Sequence, residues 1–341
     1  MKPLMTLTTE NLLNLEPLHT PTLTPPNSTT SIASDLLTPK SDTSTTYNVP
    51  VSISTLPNEL LLAIFSSIHD DIRGNKYLIA ASQVCRLWYS NILAILWSRV
   101  EIKRQHKWDM IRKGLITKYG HLVSEISFYS VLFDAQDKRK LIDKCINLRG
   151  LSLVKCRGLD EEFLEEWTKV NSMTLRTFTI WGPGVYESLA TEVTNFLLLP
   201  MLKHANRLEE LHILCSAITD EFLSDVALNT TTWPHLTFLD LTECGKITAS
   251  GVAELFAFPH QFPRLSRLQL QYNEENYLDV DFFEFLAVSF PEYQFHIVVT
   301  DWYLETTHAG TYVMMSDDLR ELKDKRDNVR LETIIGGRTL W

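Results

Sequence analysis

The chain has 341 residues, 45% of them hydrophobic and 22% charged, with a formal net charge of −10. That length allows more than one domain, and the acidic balance argues against a broad phosphate-binding surface, so no nucleic-acid partner is expected. No apolar run approaches the ~18 residues that suggest a membrane span, and the first residues lack the apolar stretch of a secretory signal. An intracellular protein of the cytoplasm, the nucleus or both is expected, with no membrane partner.

Residues 1–50 hold 17 Ser or Thr, seven of the 14 prolines and no Gly. Such a segment buries too little apolar surface to offset its chain entropy, so a disordered tail is expected. Order is expected from about Val51. Leu60, Leu61, Ile64, Phe65 and Ile68 recur at helical spacing, with Thr55 and Pro57 at the start and Glu59 near the positive end. His69–Asn75 reads as a loop. A second helical stretch carries Leu78, Ala81, Val84 and Cys85 on one face, and a third runs from Trp88 to Trp97. Three short helices make a poor independent core, so their surplus apolar surface expects a partner or a docked neighbour.

The run from Ile53 to Val100 resembles an F-box: Leu-Pro-x-Glu-Leu at 56–60, Ile64-Phe65, then Ala81-Ser82-x-Val84-Cys85-Arg86-x-Trp88, and Leu96-Trp97. A longer, more polar 69–76 stretch is the one departure. The resemblance implies binding to the Skp-type adaptor of a cullin–RING ubiquitin ligase, through Leu56, Pro57, Leu60, Ile64, Phe65, Leu78, Val84 and Trp88. It places Cys85 at a helix junction and turns Trp97 toward the following domain. Within the tail, Leu23-Thr24-Pro25-Pro26-Asn27-Ser28 resembles a phosphodegron of the kind read by another class of F-box protein. Thr24 and Thr38 are thus candidate phosphorylation sites regulating the protein's own turnover, an idea that an unchanged half-life in Thr24→Ala would remove.

After a linker or cap over 101–120, a new pattern recurs. Leu236-x-x-Leu239-x-Leu241-x-x-Cys244 and Leu148-x-x-Leu151-x-Leu153-x-x-Cys156 are leucine-rich-repeat patterns, each continued by a helix. Weaker copies start at Leu175, Leu208 and Leu265, and marginal ones centre on Ile126 and Ile297. The central positions 126, 151, 178, 211, 239, 268 and 297 make about seven repeats over 121–302; the long interval after 178 implies an insertion or an extended helix. Strands pack about 4.8 Å apart and helices 8–10 Å, so the stack should curve with strands inside. The expected fold class is α+β: a three-helix F-box over 51–100, a curved β/α solenoid, and a C-terminal tail over 303–341 with a helix over 317–331. The F-box helices are expected to cap one end of the stack and the chain after Trp302 the other.

Residues between the paired apolar positions should point outward on the concave face. Tyr129, Trp181, His212, Phe238, Asp240, Arg267 and Gln269 are the candidate target-binding residues, since aromatic and Arg side chains are favoured anchors. The acids Glu210, Asp240 and Glu243 disfavour an acidic ligand in their neighbourhood. Five cysteines with no C-x-x-C spacing read as buried, reduced thiols, and no metal site or cofactor is expected. Neither a G-x-S-x-G elbow nor an H-E-x-x-H pair occurs, Gly182-Pro183-Gly184 lacks what a phosphate loop needs, and no catalytic residue is identified. The expected role is a non-catalytic substrate receptor of a Skp–cullin–F-box ligase, holding an unidentified target protein on the repeats. The alternatives are an F-box scaffold acting outside ubiquitin transfer and, more remotely, a repeat domain with hydrolase activity.

Overall fold

The computed structural model describes residues 56–69, 74–182, 192–228, 233–257, 262–271, 276–300, 317–335 and 338–340. The tail with Thr24 and Thr38 and residues 183–191 of the expected insertion lie outside them. The chain divides into two units, Met1–Leu96 and Trp97–Trp341.

In the first unit, Pro57 precedes helix α1 (Asn58–His69) and its carbonyl accepts from the Leu60 and Leu61 amides, both at 3.1 Å. Pro is suited to this position because it has no amide to leave unpaired. Leu61 and Phe65, one turn apart, are buried. Helix α2 (Gly74–Ser82) contributes the fully buried Leu78. A turn closed by Gln83 N–H to Ala80 O and Val84 N–H to Ala81 O leads into α3 (Arg86–Ser98). Phe65 meets Trp88 edge-to-face at 5.1 Å, and the Asn91 amide donates to Asn58 Oδ1 at 2.6 Å, tying α3 to the start of α1.

The second unit is a ten-stranded sheet whose strands follow chain order. These are β1 (Arg99–Ile102), β2 (Glu125–Tyr129), β3 (Gly150–Val154), β4 (Thr177–Trp181), β5 (Glu210–Leu214), β6 (Phe238–Leu241), β7 (Arg267–Gln271), β8 (Gln294–Thr300), β9 (Val329–Ile335) and β10 (Arg338–Leu340). Strands β1 to β9 pair in parallel, and β10 turns back antiparallel on β9. One apolar register row runs Val100, Ile126, Leu151, Phe178, Leu211, Leu239, Leu268, Phe295 and Val329. Every member is buried. The expected centre at Ile297 is therefore corrected to Phe295, two residues earlier; Ile297 belongs to the next row, opposite Leu270.

Helices follow the strands: α4 (Gln105–Arg112), α5 (Leu115–Tyr119), α6 (Ala135–Lys144), α7 (Glu161–Val170), α8 (Asn195–Leu202), α9 (Asp220–Leu228), α10 (Ala249–Ala257), α11 (Val280–Ser289) and α12 (Asp317–Lys325). Asp134, Asp160 and Asp279 cap α6, α7 and α11, each accepting from the third helical amide at 2.7–3.0 Å, a contact worth about 1 kcal/mol. The residue after several strands takes a left-handed conformation, as at Ser130, Lys155, Cys215 and Glu243, with φ between 47° and 59°. That turn drops the next side chain inward. Two of these are cysteines whose thiols donate to a carbonyl of the preceding repeat, Cys156 to Phe128 O at 3.6 Å and Cys244 to Ile213 O at 3.1 Å. Burial pushes the Cys244 thiol up to about 12 and that of Cys156 to about 11.

Three expectations are corrected here. Cys145, Cys156 and Cys244 are buried, but Cys85 is exposed at the α2–α3 turn and Cys215 is only part-buried. The stretch over 101–120 is no simple linker: it completes β1 and forms α4 and α5. Trp108 of α4 is fully buried, packs edge-on to Phe128 at 5.3 Å, and donates to Asp137 Oδ2 at 3.0 Å. Finally, the C-terminal helix ends at Lys325, not 331, because Asn328 is held by the Ala287 and Tyr293 carbonyls, both at 3.2 Å, and redirects the chain into β9. Leu319 and Leu322 of that helix are buried. Among the described residues no helix is long and apolar enough to cross a membrane.

Candidate partner-binding surfaces

The first surface lies on α1 to α3. Helical spacing that buries Leu61 and Phe65 turns Leu60 and Ile64 the other way, at 51% and 42% exposure. Val84, Leu87 and Tyr77 are also exposed, as is Pro57, and Leu56 and Trp88 are half-buried. Phe65 and Leu78, expected among the contact residues, are instead interior: each is 2% exposed or less. A helix cannot send i and i+4 neighbours such as Leu61 and Phe65 to opposite sides, so the Phe65 ring is committed to Trp88. Trp97 is buried and packs on Tyr119 within the second unit, ring centroids 5.1 Å apart.

The second surface is the face of the sheet on which the half-buried residues of the strands alternate with the buried rows. Over β5 to β8 this face is filled. His212 lies 3.3 Å from Asp240 and 3.7 Å from Glu210, edge-on to Phe238 at 4.9 Å. The Arg267 guanidinium sits over the Phe238 ring at 4.6 Å. Asp240 also accepts from the Thr242 amide at 3.1 Å and hydroxyl at 2.6 Å, and Gln269 donates to Thr242 at 3.2 Å. Five of the seven expected residues thus form one interlocked cluster. Phe238 and Asp240, expected to face outward, are 9% and 5% exposed because Arg267 and His212 cover them. Next along the row, burial foremost, then Arg330 and Arg267, holds the His296 imidazole below its usual range.

The remaining two lie apart. Tyr129 and Trp181 share a register row with Val154 between them. The Tyr129 phenol is raised by burial and then by Glu101, and the exposed Trp181 donates its indole N–H to Cys215 at 2.8 Å. Cys215 also contacts Glu243; burial, then that carboxylate, pushes its thiol up to about 12.

Over β2 to β4 the same face is recessed. Small residues (Ser127, Gly150, Ser152, Thr177 and Thr179) leave a cavity of about 360 Å³, walled by Glu125, Arg149 and Arg176. Arg149 and Arg176 sit just before their strands, at the variable position after the first Leu of L-x-x-L-x-L, so the repeat pattern gave no reason to single them out. The described residues contain no cluster of His, Cys, Asp and Glu suited to a metal ion.

A family model described as F-box-like matches residues 53–103. The chain thus combines an F-box-like segment with a ten-stranded sheet of strands alternating with helices. Among solved structures, a chain of the "Crystal structure of Rad7 and Elc1 complex in yeast" matches with 12% identity and a TM-score of 0.33, covering 74% of this chain and 71% of that one.

Proposed function

We propose that the chain is the target-recognition adaptor of a Skp–cullin–F-box ubiquitin ligase. Its F-box-like segment would bind the Skp-type adaptor and the sheet face would hold a protein target. One observation carries the reading: within the segment that the F-box-like family model matches, Leu60, Ile64 and Val84 stay 42–63% exposed although an interior is available beside them. Aliphatic surface of this kind gains about 25 cal/mol per Å² when a partner covers it. In this reading the chain contributes proximity. Tethering a target near a ubiquitin-carrying enzyme raises the effective concentration of its lysines, and no bond is made or broken on this chain.

The test is capture of a purified Skp-type adaptor by the full chain. Replacing Leu60, Ile64 and Val84 together by Ala should weaken capture by about a hundredfold or more, since central interface anchors cost ~2 kcal/mol each. Undiminished capture by the triple variant would refute the assignment. Co-purification of a cullin, with a lengthened target half-life on deletion, separates the ligase role from a scaffold outside ubiquitin transfer.

A further inference from the structure

The recess over β2 to β4 differs in kind from the filled half of the same face. On β5 to β7 Glu210, His212, Asp240, Arg267 and Gln269 already have partners within the chain. In the recess, the hydroxyls of Ser127, Ser152, Thr177 and Thr179 have none among the described residues, and neither does the exposed guanidinium of Arg149. Arg176 adds a second positive charge, shared with Glu209 at 2.8 Å. The one acid of the wall, Glu125, is already drawn toward Arg99 at 3.2 Å. The lining therefore holds two cations against one anion, on a chain whose net charge is −10.

Four hydroxyls that can donate, beside a guanidinium with five N–H donors, match a group that only accepts. A cationic side chain would meet two arginines, and a purely apolar one would leave the hydroxyls without their water. A volume of about 360 Å³ is within the range of sites that enclose small groups. We propose that this recess binds an oxyanion-bearing side chain, phosphoserine or carboxylate, in an extended segment of the target protein. The inference deepens the proposed function and rests on the sheet face being the recognition surface. It also divides that face: the anion sits over β2 to β4, two strands from Asp240, with Glu210 of β5 flanking Thr177 at the edge of the recess.

The full chain is passed over three immobilised sets of degenerate peptides, alike except for a central phosphoserine, glutamate or serine. The phosphoserine set should be retained about tenfold better than the serine set, the scale of a charge-assisted hydrogen bond. Equal retention of the glutamate set would assign the site to carboxylates as well; retention of phosphoserine alone would assign it to phosphate. Arg149→Gln should reduce retention to the serine level. Ser152→Val fills the recess, leaves the charge in place and favours a strand, and should do the same. Capture of the Skp-type adaptor, measured on the same samples, should not change, and so reports folding and the F-box reading separately. Equal retention of the three sets, or retention undiminished in both variants, overturns the inference. Retention that ignores the anion but falls in Arg267→Ala overturns it too, while keeping the sheet face as the recognition surface.

Discussion

The two units handle apolar side chains in opposite ways. In the repeat unit each row of Leu, Ile and Phe is covered by the same row of the next repeat, and the thiols after the strands point into the same interior. In the F-box-like unit three short helices bury one side, through Leu61, Phe65 and Leu78, and leave Leu60, Ile64 and Val84 in water. Repetition is what makes the difference: a repeat always has an identical neighbour to lie against, whereas three helices have too few faces to cover one another. The first unit thus leaves aliphatic surface in water on its few helices, whereas the second covers its strand rows and exposes apolar side chains on helices and loops, as at Phe196, Met173 and Leu228.

Alkaline pH should break the contrast most strongly. Burial pushes the thiols of Cys145, Cys215 and Cys244 up to about 12 and that of Cys156 to about 11. An unfolded chain loses these protons near pH 8.5, so between there and pH 11–12 the folded state holds more protons than the unfolded one. Stability must then fall as pH rises, by about 1.4 kcal/mol per pH unit for each thiol involved. The expected outcome is a urea midpoint that drops steeply above pH 9, and less steeply in a Cys145→Ala/Cys244→Ala variant. At pH 8 a thiol reagent should label exposed Cys85 quickly in the native protein, part-buried Cys215 more slowly, and the three buried thiols only on unfolding. A flat midpoint between pH 8 and 11 would contradict the buried-thiol account.

Trp108→Ala comes next, with an expected loss of about 4 kcal/mol from the emptied ring site and from the Asp137 oxygen left without its indole donor. Asp137 is 1% exposed and its other oxygen is held by Arg112 at 2.9 Å, so the carboxylate cannot turn to water. Asn171→Leu should cost about 2–3 kcal/mol. Its side chain accepts from the Leu148 amide at 2.8 Å and donates to the Cys145 and Trp167 carbonyls at 3.0 Å; the first two lose their partner, while the Trp167 carbonyl keeps the Asn171 backbone N–H at 3.2 Å. Denaturant titration measures both.

The middle of the sheet was legible because its signal is periodic: Leu151, Leu211, Leu239 and Leu268 fall in one register row, as their spacing predicts. Its ends were not. β1 is only Arg-Val-Glu-Ile, and β9 follows a charged stretch whose acids and bases read equally well as more helix; its strand state depends on Phe295 donating its amide to Asn328 O, a contact no local pattern encodes. The site was read unevenly for the same reason. Alternation correctly assigned His212, Asp240 and Arg267 to one face, but whether a neighbour folds over Asp240 depends on side chains one strand away. Arg149 went unseen because it fills a variable position of the repeat pattern, just before its strand, and the recess it borders comes from what Ser127, Gly150 and Ser152 lack.

The smallest effect is the sharpest test of the contrast, because it sets two adjacent leucines against each other. Leu61 is 1% exposed and Leu60 is 51% exposed, on the same helix and with the same side chain. Helix propensity for Leu→Ala is the same at both, so any difference measures surroundings. Leu61→Ala should destabilise by about 2–5 kcal/mol, as truncations at filled sites do. Leu60→Ala should shift stability by no more than about 0.5 kcal/mol, since its side chain already meets solvent. With saturating Skp-type adaptor present, the order should narrow: a ligand that binds only the folded chain adds stability by mass action, and Leu60→Ala forfeits part of that gain. Equal costs for the two leucines in the free protein would mean that Leu60 is covered by this chain itself, and the first unit would then have no unfinished face to offer.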